Sequence, residues 1–365
     1  MTAGETRAST VGWSGGHMRR DVQIGVVGAG AMGTEHIRLL SEQVPGARVT
    51  VVHDPDPARV ALVRQRFPHV LPAPTSDELI NAEAVDAIVI AAPDEDHESL
   101  VLRCLEAGKP VLCEKPLASD SAGCLRVVQR EAELGRQLVR VGLMRRFDPV
   151  HRAVRDQLAD GAVGEPVAMH CTHRVREVPA WFTGDMTFTN AAVHDIDVVR
   201  WILGTEIASV TVHSPSGPAV ANAAFVDPQI VVFETLRGTV VTLELFLNAR
   251  FGYQVTCEVV GTSGVVSTAQ VASPVLLRQG RRSSGIDIGF QSRFASAYQA
   301  ELTEWTRAVG GGDQPGGATA WDGYLVTVTA ETCVRAAREA TRVAIDAMER
   351  PALYDPRRDA QLDAV

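Results

Sequence analysis

The sequence predicts an α/β protein of two parts, and two features of its patterning carry that prediction. An apolar strand run, "DVQIGVV", enters a glycine-rich loop and then a helix, and short apolar strands alternate with amphipathic helices as far as about residue 145. That alternation specifies a doubly wound parallel sheet. Between about Ile207 and Leu277 the pattern changes to alternating segments such as "ASVTVH", "QIVVFETL", "TVVTLELFL" and "YQVTCEVVG", the signature of an antiparallel sheet. A chain of 365 residues is long for one domain and comfortable for two. The expected division is a flexible leader over 1–20, a dinucleotide-binding domain over 21–145, a substrate and oligomer domain over 146–350 and a tail over 351–365.

The totals exclude several classes. The chain is 45% hydrophobic and 22% charged, with net charge −9, and its cations are interspersed with acids. A main partner among nucleic acids or anionic membranes would need clustered cations. No uncharged apolar run is long enough to span a bilayer. The first twenty residues lack the apolar stretch of a secretory signal. The six cysteines (Cys104, Cys113, Cys124, Cys171, Cys257 and Cys333) are far apart, with no C-x-x-C pair. They read as small buried residues of a reduced, cytoplasmic protein rather than as disulfides or zinc ligands.

The loop "GAGAMG" holds Gly28, Gly30, Ala31, Met32 and Gly33. Gly28 serves a tight turn, Gly30 lets backbone approach a pyrophosphate, and Gly33 lets helix pack on strand. The pyrophosphate then meets the free N–H groups of the helix start. A second strand, "ARVTVVHD", ends in Asp54, twenty-one residues after Gly33, where an acid receives the ribose hydroxyls of NAD and repels the extra phosphate of NADP. The expected cofactor is therefore NAD. The segments "VDAIVIAAP", "PVLCEKPLA" and "QLVRVGLMRR" read as further strands, and ligands of such sheets bind beyond their carboxyl ends. Pro93, His97, Glu114, Lys115, Met144 and Arg145 all fall there. Lys115 reads two ways: as a solvated ion pair with Glu114, or as a desolvated amine able to donate to a reacting hydroxyl.

The segments "GVVGAGAMGTEH", "CEKPLA", "GLMRRFD", "HCTHR", "VHDIDVVRWIL", "ETLRGTVVTLELFLNARFGYQVTCEVVG" and "ATAWDGY" together resemble the inositol 2-dehydrogenases of the glucose–fructose oxidoreductase/inositol dehydrogenase (Gfo/Idh/MocA) family, from about Val22 to about Arg338. The resemblance implies a Rossmann domain followed by an α/β domain whose large open sheet mediates oligomer contacts, commonly in a tetramer. It implies that Lys115 reaches the substrate hydroxyl and that His194 accepts its proton. It further implies that His173 and Tyr253 contact ring hydroxyls, that Arg145 lines the cleft with Met144 beside it, and that no metal is used. The activity implied is NAD-dependent oxidation of a secondary hydroxyl of a cyclic polyol, myo-inositol or a related cyclitol.

One position departs from that pattern. The family's inositol enzymes carry an aspartate one turn before the histidine, and this chain has Asn190. Asparagine hydrogen-bonds both ways but takes no proton. Three readings follow: a helix N-cap or orienting amide in a working enzyme, a site for a different polyol or one bearing an acid, or an NAD-binding protein with reduced catalysis. A dehydrogenase of another sugar, amino-cyclitol or sugar acid, or an NAD-binding sensor, are the alternatives. His170, His173 and His194 with Asp195 or Asp197 make a poor metal set, because His170 and His173 fall on opposite faces of a strand. Asp197, three residues beyond His194 on the expected helix, reads equally as a residue that orients it or as one that only hydrogen-bonds backbone or an arginine. Trp201 reads as a core side chain, whereas Trp321 and Asp322 read equally as residues approaching the cleft or as a helix entry with a packed indole.

Overall fold

The computed structural model describes residues 20–215, 226–268 and 275–355. The expected leader, apart from Arg20, lies outside these residues, as do the last ten of the tail. The first half runs β1 (Val22–Val27), α1 (Ala31–Glu42), β2 (Ala47–His53), α2 (Pro57–Arg66), β3 (Leu71–Pro72), α3 (Ser76–Asn81), β4 (Ala87–Ile90), α4 (His97–Glu106), β5 (Val111–Glu114), α5 (Ser121–Leu134) and β6 (Val139–Gly142). These strands are parallel and ordered β6-β5-β4-β1-β2-β3. Strand order reverses between β1 and β4, where a crevice opens beyond the carboxyl ends. The central strands β4, β5 and β6 are buried throughout, as helices on both faces require. The strand expected over "QLVRVGLMRR" stops at Gly142, and Met144–Phe147 form a 3₁₀ turn. That turn carries Arg145 and Arg146 sideways off the sheet edge, into the second half of the molecule.

The second half continues with α6 (Pro149–Ala159), β7 (Pro166–Arg174), α7 (Val193–Leu203), β8 (Ile207–His213), β9 (Gln229–Thr235), β10 (Val240–Phe246), β11 (Gln254–Gly261) and β12 (Val265–Ser267). A hairpin of β13 (Val275–Arg278) and β14 (Arg281–Ser284) follows, then α8 (Phe290–Gly311), β15 (Ala318–Thr319), α9 (Ala320–Glu339) and β16 (Val343–Ala344). The sheet order is β12-β11-β7-β10-β9-β8-β16. It is antiparallel except at its centre, where β7 and β10 run parallel. Alternation in β9 and β10 puts Val231, Phe233, Val241, Leu243 and Leu245 on the buried face, in one apolar cluster with residues of α7 and α9.

Elements that follow residue 145 also pack on the first half. β15 adds an antiparallel strand to the edge of the first sheet, beside β6. α8 lays Phe294, Tyr298, Leu302 and Trp305 into the same apolar cluster as α1 and β1, and α9 packs along α5. The tail expected from residue 351 is also partly docked. Leu353 and Tyr354 are buried, the Tyr354 hydroxyl donates to Glu131 (2.5 Å), and Gln137 donates to the Leu353 carbonyl. No described helix is long and apolar enough to cross a membrane.

Candidate active site

The glycine loop has the close contacts its sequence demands. A Cβ at Gly33 would sit 1.9 Å from the Gly28 carbonyl oxygen, and one at Gly28, whose φ is +96°, would sit 2.3 Å from that of Ala91. Any side chain there would push β1, β4 and α1 apart. Gly30 caps α1 without a side-chain hydrogen bond, so the N–H groups of Ala31, Met32 and Gly33 have no intrahelical partner and face the crevice end. Asp54 is fixed at the end of β2, where its carboxylate accepts the N–H groups of Ala29 (2.7 Å) and Asp56 (2.9 Å), with Arg59 3.6 Å away. Gly28, Gly30, Asp54, Arg59 and Pro93 line one groove of about 500 Å³. The residues present suit a dinucleotide: backbone donors for the pyrophosphate and an anchored acid for the ribose.

His97 is not part of that groove. Its ring nitrogens lie 2.6 and 3.0 Å from the Pro116 and Ala92 carbonyl oxygens, so it braces two strand ends and has no edge left for a cofactor. Glu114 stands apart from the groove too: its carboxylate receives His36 Nε2 (2.7 Å), on α1, and it lines the neighbouring cleft. Although burial pushes the Glu114 carboxyl up, His36 and Lys115 outweigh it and hold the pKa below its usual value.

That neighbouring cleft, about 490 Å³, is lined by Met32, Lys115, Met144, His173, Asn190, His194 and Tyr253 among others. Met32 from the glycine loop thus reaches across from the cofactor side, and these residues converge from six stretches of sequence. Lys115 is no solvated ion pair. Its Nζ turns from Glu114 and donates to Asn190, to both the side-chain oxygen (3.1 Å) and the backbone carbonyl (3.2 Å). Burial lowers its pKa, opposed by Glu114 and Asp94. Lys115 is also one of only two lysines in the chain, with Lys109, among 35 basic residues, a compositional signal pointing to an amine with a particular task.

Asn190 and His194 do not share a regular helical face. Residues Thr187–Ala192 form a π-helical turn that passes into α7, so Asn190 precedes the α-helix and His194 opens it. The N-cap reading of Asn190 fails, because α7 begins after Ala192 and has no side-chain cap. Such π turns are frequent at functional sites. His194 is held well below the ordinary histidine pKa by burial, then by Arg145, Lys115 and His173. It is therefore a neutral imidazole at neutral pH, in the form that accepts a proton.

Behind the cleft lies a buried charged triad. Arg145 Nη1 donates to Asp195 Oδ1 (2.5 Å) and His173 Nδ1 donates to Asp195 Oδ2 (2.6 Å). Burial raises the Asp195 carboxyl, but Arg145 and His173 together pull it far below the usual carboxylate range. Burial lowers the His173 pKa, against the pull of Asp195. A neutral His173 with Nδ1–H fixed on Asp195 keeps Nε2 as an acceptor for a hydroxyl. The Tyr253 ring packs edge-on against His173, at 6.1 Å between centroids. Sequence reasoning weighed Asp195 only as a metal ligand. Its partner His173 is twenty-two residues away on β7, so no local spacing announced the pair. Of the two readings of Asp197 the arginine one holds: it receives Arg146 (2.6 and 2.9 Å), which also meets Asp322. Trp181 is 64% exposed at the cleft mouth and Phe182 is buried beside it; both lie on a loop the sequence reading passed over. Trp321 is packed near Tyr324 and Tyr354, and Trp201 under Arg155.

A dinucleotide groove that abuts a cleft holding a desolvated lysine and a neutral histidine defines a nicotinamide-dependent dehydrogenase. Residues 22–143 match the NAD-binding Rossmann fold of the Gfo/Idh/MocA oxidoreductase family, and residues 155–345 match its C-terminal α/β domain. The chain belongs to this family, and its cofactor is NAD. Among its relatives, inositol 2-dehydrogenase 1 of Saccharopolyspora erythraea is 45% identical over 334 residues, covering 91% of this chain and 99% of that protein. An inositol 2-dehydrogenase of Pseudomonas fluorescens is 40% identical over 336 residues, covering 91% and 99%. The crystal structure of myo-inositol dehydrogenase from Lactobacillus casei, in complex with NAD(H) and myo-inositol, superposes with a TM-score of 0.89 at 30% identity, covering 92% of this chain and all of that one.

Proposed function

We propose that this protein oxidises a secondary hydroxyl of a cyclic polyol, an inositol or close cyclitol, to the ketone. The observation that carries the reading is the convergence of Lys115, His194 and the Asp195-bound His173 on one cleft beside the glycine loop. NAD, held by the glycine loop and Asp54, would supply the hydride acceptor. The Lys115 ammonium holds the substrate oxygen and stabilises negative charge as it develops there. The His194 imidazole takes the hydroxyl proton while the hydride leaves the same carbon with its electron pair. His173 and Tyr253 hold other ring hydroxyls, and the Arg145 guanidinium, neutralised by Asp195, keeps His173 in place.

The test is NADH formation with NAD and a panel of inositol stereoisomers, sugars and sugar acids, using the native chain, Lys115→Ala and His194→Ala. Turnover of a cyclitol by the native chain, lost in both variants, is expected. Full activity in both variants would overturn the residue roles, and turnover of only sugar acids would overturn the substrate class. Asn190, standing where relatives of this type carry aspartate, favours one second reading, an NAD sensor with reduced catalysis. Tight NAD binding without turnover of any substrate would select it. We further place the enzyme in the cytoplasm, consistent with six free, buried cysteines, and as a tetramer built on the open sheet face, which light scattering on the purified protein tests.

A further inference from the structure

We infer that Asp94 is a positioning residue for this site: through the Asn190 amide it supplies, from the Rossmann half, the negative charge that position 190 itself lacks. The inference rests on the dehydrogenase reading above and names a residue which that reading does not use.

Asp94 follows β4 at the sheet's carboxyl edge, and its Oδ2 lies 3.5 Å from Asn190 Nδ2. The Asn190 oxygen meanwhile accepts from Lys115 Nζ at 3.1 Å. The two contacts fix the amide's orientation. An ammonium has only donors and a carboxylate only acceptors, so the amide oxygen must face Lys115 and the NH₂ must face Asp94. A flipped amide would set donor against donor and acceptor against acceptor. Asp94 thus selects the orientation in which Lys115 has an acceptor, and its charge polarises that amide toward the lysine.

The other acids around Lys115 are committed. Glu114, its neighbour in sequence, takes His36 on one oxygen and the Lys115 backbone N–H on the other. Asp195 is shared by Arg145 and His173. Among the described residues the same cleft also brings Arg145, His173, His194, Tyr253 and Tyr298 near Lys115, with Arg176 and Glu177 on its wall, and Arg145 works against the lysine's protonation. Asp94 joins Glu114 in favouring the ammonium form. An ammonium is the form that can donate to an alkoxide, so a buried lysine beside Arg145 needs such a counterweight. Position 190 is then an amide with a carboxylate one contact behind it, on the other half of the molecule.

The experiment exploits the chain's two lysines. Trace acetylation with acetic anhydride across a pH series, read by peptide mass spectrometry, gives the titration midpoint of Lys115, with Lys109 as internal reference. Neither value depends on turnover. A directly opposed charge shifts a lysine by one to three units; acting through an amide, Asp94 is expected to contribute roughly half a unit to one unit. Asp94→Asn should therefore lower the Lys115 midpoint by that amount, labelling it about three- to tenfold faster at a pH below the midpoint, with Lys109 unmoved. Asp94→Ser repeats the test with a side chain that folds readily in a turn. Adding Asn190→Asp to Asp94→Asn should return the midpoint to the native value or above, which a purely structural role would not do. In the active enzyme the alkaline limb of kcat/KM should move down with the midpoint while KM holds. A Lys115 midpoint unmoved by Asp94→Asn and Asp94→Ser, or one that moves equally with Lys109, overturns the inference. Failure of the native chain to oxidise any polyol would overturn the dehydrogenase reading alone, since the labelling still reports on Asp94.

Discussion

Asp195→Asn is the most informative single perturbation of this protein. The substitution keeps size and one acceptor but removes the only carboxylate shared by Arg145 and His173. Arg145 is 1% exposed and cannot reach water without opening the cleft. Opposite unit charges about 4 Å apart attract by roughly 4 kcal/mol at the effective dielectric of a protein site. Breaking such a buried pair on one side costs about 3–5 kcal/mol, because the remaining charge stays desolvated. Urea denaturation of the native and variant proteins, at fixed protein and NAD concentration, reads that loss. The variant Arg145→Met/Asp195→Leu should lose less than the sum of its two singles, since it buries no unpaired charge. Linkage sets the pH dependence. Asp195 has a folded pKa depressed below its unfolded value, so its contribution is complete above the ordinary aspartate range and fades as pH falls below it. The native-minus-variant difference should be flat near neutrality and shrink under acid. A loss under about 1 kcal/mol, or strict additivity in the double variant, would refute the account of Asp195 as the charge that holds the cleft together.

Three further outcomes follow from the geometry. Gly33→Ala should abolish NAD binding measured by calorimetry, because its Cβ has no room beside the Gly28 carbonyl; micromolar binding by a folded variant would contradict that contact. Asp54→Ser should weaken NAD and strengthen NADP, with Arg59 left to meet the 2′-phosphate, changing the ratio of kcat/KM values by about 100-fold (roughly 3 kcal/mol); an unchanged ratio would count against Asp54 as the discriminating acid. Because burial, with the Arg145 and Lys115 cations beside it, holds His194 below the ordinary histidine range, cyclitol oxidation should persist as pH falls through 6.5, its acid limb lying lower, and Asn190→Asp should move that limb upward. A limb at or above 6.5 in the native enzyme would contradict a desolvated His194.

The sequence by itself determined the elements whose signals are local. Strand–GxGxxG–helix is readable because one turn, one close approach and one helix start occupy six consecutive residues, and Asp54 because a strand of fixed length sets its distance from them. Lys115, His194, His173 and Tyr253 were legible by resemblance, each within a short motif, and the structure draws all four to one cleft. Only the tertiary structure decided what those side chains face. His97 sits in a motif that suggested the cofactor and is clasped by two carbonyls instead. Asp197 was open by helical spacing to His194 or to an arginine and belongs to Arg146, while Asp195 beside it joins a strand twenty-two residues upstream. The π turn shifted Asn190 off the regular helical phase and onto Lys115, and Asp94 reached it from ninety-six residues away. A short motif encodes backbone geometry over a few residues, whereas a buried charge takes its partner from whatever the fold packs against it. Pairing across the cleft is a property of the closed chain, and no spacing along the sequence records it.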